Sequence, residues 1–218
     1  MAAGVAGLGI VALLPARETA RPPRQPSVRD IARLTTRRDV FVPALLSAIG
    51  QYATWAVPFG FLPILADQLG ADNVIQSILV SLHIGVMTLG SLAAATLSNR
   101  IGDRNLVYAS FVILAVGIAA AAVAPSLPLV FVAQVIIGVA IGISYPVLMG
   151  MSIRHVDDGE RTTAMGLHQA VYAAGMFAGP WLSGILAETI GLRFMLGLTA
   201  FGCLAPGLIL LRFVPRRR

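Results

Sequence analysis

The chain of 218 residues is 57% hydrophobic and 12% charged, and its net charge is +6. Soluble domains carry roughly 25% charged residues, so this composition excludes an ordinary soluble protein. All sixteen basic residues are Arg and fall in the breaks between long apolar blocks, without the aromatic interleaving that single-strand binding uses. That distribution excludes a nucleic-acid-binding face and reads as membrane topology.

Residues 1–14 are apolar but too short to cross a bilayer, which takes about 20 residues. No Arg precedes them, and their exit through Pro15-Ala16-Arg17 lacks a small-residue cleavage site, so they are expected to be the residual end of a transmembrane helix rather than a signal peptide. Residues 15–39 read as a basic cytoplasmic linker with seven Arg and the turn-forming Pro22, Pro23 and Pro26. Within it Ser27-Val28-Arg29-Asp30 has capping-box spacing, and Val28, Ile31 and Leu34 recur at helical intervals. A short amphipathic helix on an anionic leaflet and a solvated linker are both open readings.

Six apolar blocks follow, at about 40–66, 74–97, 106–124, 127–151, 163–187 and 194–212. Their continuous character predicts transmembrane helices, because barrel strands would show roughly 10 residues of alternating polarity. The predicted fold is therefore an all-α polytopic bundle over 40–213, closed by a basic cytoplasmic tail at 214–218. In a six-span arrangement the linker, the breaks holding Arg100, Arg104, Arg154 and Arg161, and the C-terminus share one side, and Arg193 alone lies on the other. Fifteen of sixteen Arg on one side places that side in the cytoplasm.

All ten carboxylates fall in breaks or at span ends, which leaves His83 and His168 as the ionisable residues inside spans. Such residues are functional candidates because lipid makes them costly. On the fifth span His168, Tyr172, Gly175, Gly179 and Ser183 share one side with Gln169 adjacent; the first span carries Ser47, Gln51, Thr54 and Trp55, and the fourth Gln134, Gly138 and Tyr145. The third and sixth spans have almost no polar residues. This segregation predicts that spans one, two, four and five surround an aqueous cavity while three and six face lipid. Candidate cavity residues are Gln51, Trp55, His83, Gln134, Tyr145, His168, Gln169 and Tyr172, with plain helix packing as the open alternative. Pro58, Pro63, Pro146 and Pro180 are expected to interrupt helices, and Gly138–Gly142 and Gly175–Gly179 each give a GxxxG spacing. The single Cys203 permits no intrachain disulfide and no thiolate metal cluster. No metal and no cofactor are expected.

The break after the second span reads Ala95-Thr-Leu97-Ser98-Asn99-Arg100-Ile101-Gly102-Asp103-Arg104. It is similar to the G-x-L-a-D-r-x-G-r-r signature of the major facilitator superfamily, matching at Leu97, Arg100, Gly102 and Arg104 and departing at Ala95, Asn99 and Asp103. The fifth span carries Gly175-Met-Phe-Ala-Gly179-Pro180-Trp-Leu-Ser183-Gly184, which resembles that family's G-x-x-x-G-P-x-x-G-G pattern with Ser183 in place of a glycine. The fourth span's Gln134 to Gly138 resembles an R-x-x-q-G element without its Arg. The resemblance implies the C-terminal six-helix half of such a transporter, built as 3+3 inverted repeats. It assigns Arg100, Gly102 and Arg104 to a gating loop, and Gly175, Gly179, Pro180 and Gly184 to helix packing or bending.

Three functions follow in descending order. The first is solute transport by alternating access, this chain supplying one half, the apolar and aromatic lining favouring a small lipophilic or amphipathic solute. The second is a truncated or split-gene fragment without independent transport. The third, an intramembrane enzyme, finds no support at Ser183, which lacks a G-x-S-x-G context. The implied partners are the lipid bilayer, an unidentified small solute, and either an N-terminal half-transporter or a second copy of the chain. The implied location is a bacterial-type plasma membrane.

Overall fold

With no water in the bilayer core to hydrogen-bond the main chain, long apolar segments must satisfy their own N–H and C=O groups, and helix is how a single segment does so. The computed structural model describes residues 27–213 and is helical throughout, with no strand among the described residues. The predicted helix end at 1–14, the linker before Ser27 and the tail at 214–218 lie outside the described residues. A short helix α1 (Val28–Thr36) precedes six long ones: α2 (Arg38–Gln68), α3 (Asn73–Ile101), α4 (Asp103–Ala122), α5 (Leu127–Ile153), α6 (Asp158–Ile190) and α7 (Leu192–Leu211). All six are long and apolar enough to cross a membrane.

The bundle is organised around α2 and α5, which pack on one another. Helix α6 lies against α2, α3 lies against α5, and α4 bridges α5 and α7. The first two of these contacts exchange under an inverted repeat that maps α2, α3 and α4 onto α5, α6 and α7. Residue positions obey the same rule. The buried residues of α3 are Leu79, His83, Gly90, Ala94 and Ser98, and those of α6 are Ala164, His168, Gly175, Gly179 and Ser183. Each pair is 85 residues apart. Both helices then end at a glycine in the left-handed region, Gly102 (φ 84°) and Gly191 (φ 89°), within matching Ile101-Gly-x-Arg104 and Ile190-Gly-x-Arg193 sequences. A side chain at either glycine would strain the turn, so the repeat is written in its hinges as well as its packing.

Two expectations are corrected. Pro146 and Pro180 do not interrupt anything: they lie inside the unbroken α5 and α6, as lipid-embedded helices allow when neighbours cover the freed carbonyl. Pro58 does mark a departure, because α2 widens into a π-helical turn at Val57–Phe61. There Gly60 is required, since a Cβ on it would lie 2.8 Å from the Trp55 carbonyl oxygen.

The linker helix α1 docks on the bundle through one buried residue, while Arg29, Ile31, Ala32 and Arg33 stay exposed. Its Leu34 is fully buried with Val40, Val156 and Ala164. Arg33 pairs with Glu160, and Arg37 donates to the His155 carbonyl at 2.7 Å and to Asp39 at 2.7 Å. The Asp39 carboxylate raises the Arg37 guanidinium above its ordinary pKa.

Candidate functional site

The eight cavity candidates separate by burial. Gln51, Tyr145, Gln169 and Tyr172 are half-buried, and Trp55 is 38% exposed. Two aromatic groups join them: Tyr145 and Tyr172 stack obliquely across α5 and α6 with ring centroids 5.8 Å apart, and Trp55 lies 5.4 Å from Phe59. His83, Gln134 and His168, by contrast, have no exposed surface. The structure places these three in helix–helix interfaces rather than on an open wall, because the same 3.6-residue period that aligns polar residues also turns them toward the neighbouring span.

Around α6 several polar groups find partners on α2 and α5, although His168 Nε2 and, on α2, Ser47 Oγ do not. His168 Nδ1 lies 2.7 Å from Ser152 Oγ, whose hydroxyl donates to the Val40 carbonyl at 3.2 Å. With that proton committed, Ser152 accepts from His168 Nδ1–H. Tyr52 and Ser183 share a hydroxyl bond of 2.9 Å. The backbones touch where a Cβ on Gly175 would collide with the Ala48 carbonyl, and one on Gly179 would lie 2.7 Å from the Tyr52 carbonyl oxygen. Gly184 has only Phe61 nearby, at 3.9 Å from such a Cβ.

In the α3–α5 interface the backbones meet as closely. A Cβ on Gly142 would strike the Met87 carbonyl, and one on Gly138 would lie 3.4 Å from His83 Nδ1. Ser91 donates to the Gly142 carbonyl at 2.9 Å. Gln134 donates to the Leu79 carbonyl at 3.3 Å, yet its Oε1 and both nitrogens of His83 have no partner. The edge of the Phe59 ring system covers His83 at 5.3 Å between centroids.

At the Arg-rich end the predicted gating loop is organised by a residue that sequence reasoning passed over. Asp103 is 5% exposed and binds both the Ser98 hydroxyl and Arg154, tying α3 and α4 to the end of α5. Among the described residues Arg100 and Arg104 make no ion pair. The signal was present: Asn99 stands where the signature has an acid, and Asp103 where it has a base. Ser91, Ser98, Asn99, Asp103, Gly150 and Arg154 border a cavity of about 270 Å³ there. Among the described residues no three His, Cys, Asp or Glu side chains come together as a metal site would need.

Six membrane-crossing helices in an inverted 3+3 arrangement, with a signature loop between α3 and α4, define an integral membrane protein of transporter architecture. The sequence profile of the Major Facilitator Superfamily matches residues 44–218, and the chain belongs to that family. It is 26% identical over 171 residues to the "Putative metabolite transport protein YwtG" of Bacillus subtilis, covering 78% of this chain and 36% of that protein. It is 23% identical over 170 residues to an "Uncharacterized transporter" of Buchnera aphidicola (77% and 41%). Against the human "Proton myo-inositol cotransporter" it is 25% identical over 166 residues (74% and 26%). The chain thus spans well under half the length of these relatives.

Proposed function

We propose that this chain is one six-helix half of an alternating-access solute transporter, with its Arg-rich face in the cytoplasm. The observation that carries this reading is the uncovered flank of α3 and α6. Of their apolar stretches only 22% and 17% is buried, against 61% for α2 and 50% for α5. Those flanks expose Ser81, Gly85 and Thr88 on α3 and Gly166, Ala170, Ala173 and Ala174 on α6. Small residues let helix backbones approach closely and gain little from lipid, so these faces suit a second bundle. The coverage of the relatives supports an additional six-span bundle over a second copy as the partner.

Between the halves this chain would contribute Gln51, Trp55, Tyr145, Gln169 and Tyr172, a neutral lining of amides and rings. Such a lining favours an uncharged solute, in keeping with relatives named for metabolite and myo-inositol transport. Cells expressing the full-length protein should accumulate a labelled neutral solute, myo-inositol being the first tried. Tyr145→Ala and Tyr172→Ala should each cut that uptake about tenfold, the loss of roughly 1.4 kcal/mol of binding. Uptake unchanged in both variants would remove the site assignment. No uptake by the 218-residue chain alone, restored by adding a six-span partner, would favour the fragment reading of this sequence.

A further inference from the structure

The outer helices α4 and α7 repeat one another as the α3 and α6 pair does. Both are 20 residues long and both start directly after the left-handed glycine of their hinge. Every buried residue of α7 has a buried counterpart 89 positions earlier in α4, among them Met195 with Leu106, Thr199 with Ser110 and Leu211 with Ala122. Arg193 is thereby the counterpart of Arg104, and the end of α4 is the counterpart of the end of α7.

On the Arg-poor side this corner closes on itself. Arg193 donates to the Ala122 carbonyl at 2.9 Å and to the Ala124 carbonyl at 2.7 Å, so its guanidinium caps the carbonyl end of α4. The neighbouring Val123 and Phe194 are apolar and exposed. On the Arg-rich side the same backbone carries different chemistry. Arg212 replaces Val123, Asn105 replaces Phe194, and Tyr108 stands where α7 has Gly197. Neither the Arg104 nor the Arg212 guanidinium bonds another group among the described residues. The contact that sets Phe111 against Gly207 also buries Leu106, Val107 and Leu211 together, so both arginines emerge at one end of it. Asp103, the adjacent carboxylate, is buried and taken up by Ser98 and Arg154.

We propose that this Arg-rich edge of α4 and α7 binds the headgroup of an anionic phospholipid. Arg104 and Arg212 hold the phosphate, whose oxygens suit the planar guanidinium fork. Tyr108 and Phe213, both exposed, sit beside it as interfacial aromatics do. Further into the bilayer Ile113 and Val116 of α4 and Ile209 of α7 are exposed, an apolar strip along which the acyl chains lie. That strip favours a lipid over a soluble anion, and the chain continues with Arg216, Arg217 and Arg218, which add to the attraction for an anionic leaflet.

The repeat supplies its own control. In the 218-residue chain with Cys203→Ala, a fluorescent thiol label at Asn105→Cys reports the Arg-rich edge, and one at Phe194→Cys reports its counterpart. Each chain is placed in phosphatidylcholine vesicles containing increasing fractions of a lipid with a nitroxide near its headgroup, either phosphatidylglycerol or phosphatidylcholine. An Arg near an anionic surface is worth about fivefold in affinity, so half-maximal quenching at 105 should need about tenfold less of the labelled phosphatidylglycerol. At 194 the two lipids should quench alike. Arg104→Gln with Arg212→Gln should bring position 105 to parity and leave 194 unmoved, and excess inorganic phosphate should leave the parent's preference in place. Equal quenching by both lipids at 105, or a preference there that survives the double substitution, would overturn the proposal. So would its loss to inorganic phosphate but not to chloride of equal ionic strength, which would mark a site for a soluble anion. The comparison of 105 with 194 in the parent decides the matter even if the double variant inserts poorly, and it requires no transport.

Discussion

The α2–α6 and α3–α5 interfaces use the same five positions of their peripheral helices and reach the same backbone proximity, but their polar side chains find partners to different extents. Across α2–α6 Tyr52 meets Ser183, and His168 of α6 meets Ser152 of α5 through Nδ1 while its Nε2 has no partner. In α3–α5, His83 and the Gln134 oxygen are left without partners. Proximity is therefore set by the glycines and is common to both repeats, while hydrogen bonding is free to differ between them. A bundle held only by its glycine contacts would need neither histidine; the difference marks where the fold departs from what packing requires.

The largest expected effects test the shared part. Gly175→Val places branched carbon against the Ala48 carbonyl, and Gly142→Val does the same against the Met87 carbonyl. Each should destabilise the bundle by about 3 kcal/mol, the upper range of overpacking, read as a lowered midpoint in detergent unfolding. Gly166→Ala, with nothing within 4 Å of its added carbon, should unfold like the parent. If the valine at one interface is tolerated and the other is not, the repeats are not packed alike and the comparison breaks.

An intermediate effect tests the Arg-rich end. Arg154→Ala takes the Arg154 cation away from the Asp103 carboxylate, 5% exposed, whereas Asp103→Asn leaves a guanidinium whose side chain is 36% exposed and can reach water. Stranding the buried member is the costlier change. Arg154→Ala should thus lose about 2 kcal/mol more than Asp103→Asn, a margin discounted for the exposure of Arg154, and the double variant should recover part of it. Equal losses would mean that the Ser98 hydroxyl, not Arg154, holds the carboxylate.

The spans and their side-to-side Arg bias were legible because lipid allows few solutions: helices of a fixed length, and charges at their ends. The site was harder to read. Polar residues at three- and four-residue steps share a face, but periodicity does not say whether that face meets water or another helix. Gln51 and Tyr172 therefore could not be told from Gln134 and His168, which are wholly buried. The resemblance implied the repeat but not its register, because two of the five register pairs differ in residue type, Leu79 with Ala164 and Ala94 with Gly179, and burial reveals that they correspond. Asp103 was missed because the acid had moved four residues from where the signature carries it, onto the first turn of α4. That residue is where a chain leaving Gly102 turns back toward α5.

The smallest effect is the one that best separates the interfaces, because it is expected to change sign. Tyr52→Phe removes a hydroxyl bonded at 2.9 Å to Ser183 and leaves that serine buried, so it should cost about 0.6 kcal/mol, the average for hydrogen bonds between membrane helices. Gln134→Leu removes one bond of 3.3 Å to the Leu79 carbonyl but also the unpartnered Oε1, at nearly the same volume. The lost bond and the relieved desolvation are each of order 1 kcal/mol, and the Leu79 carbonyl keeps its helical partner in α3. Gln134→Leu should therefore unfold at or slightly above the parent's midpoint. A destabilisation as large as that of Tyr52→Phe would show that Gln134 is an ordinary packing contact, and the two interfaces would then differ only in the quality of their hydrogen bonds.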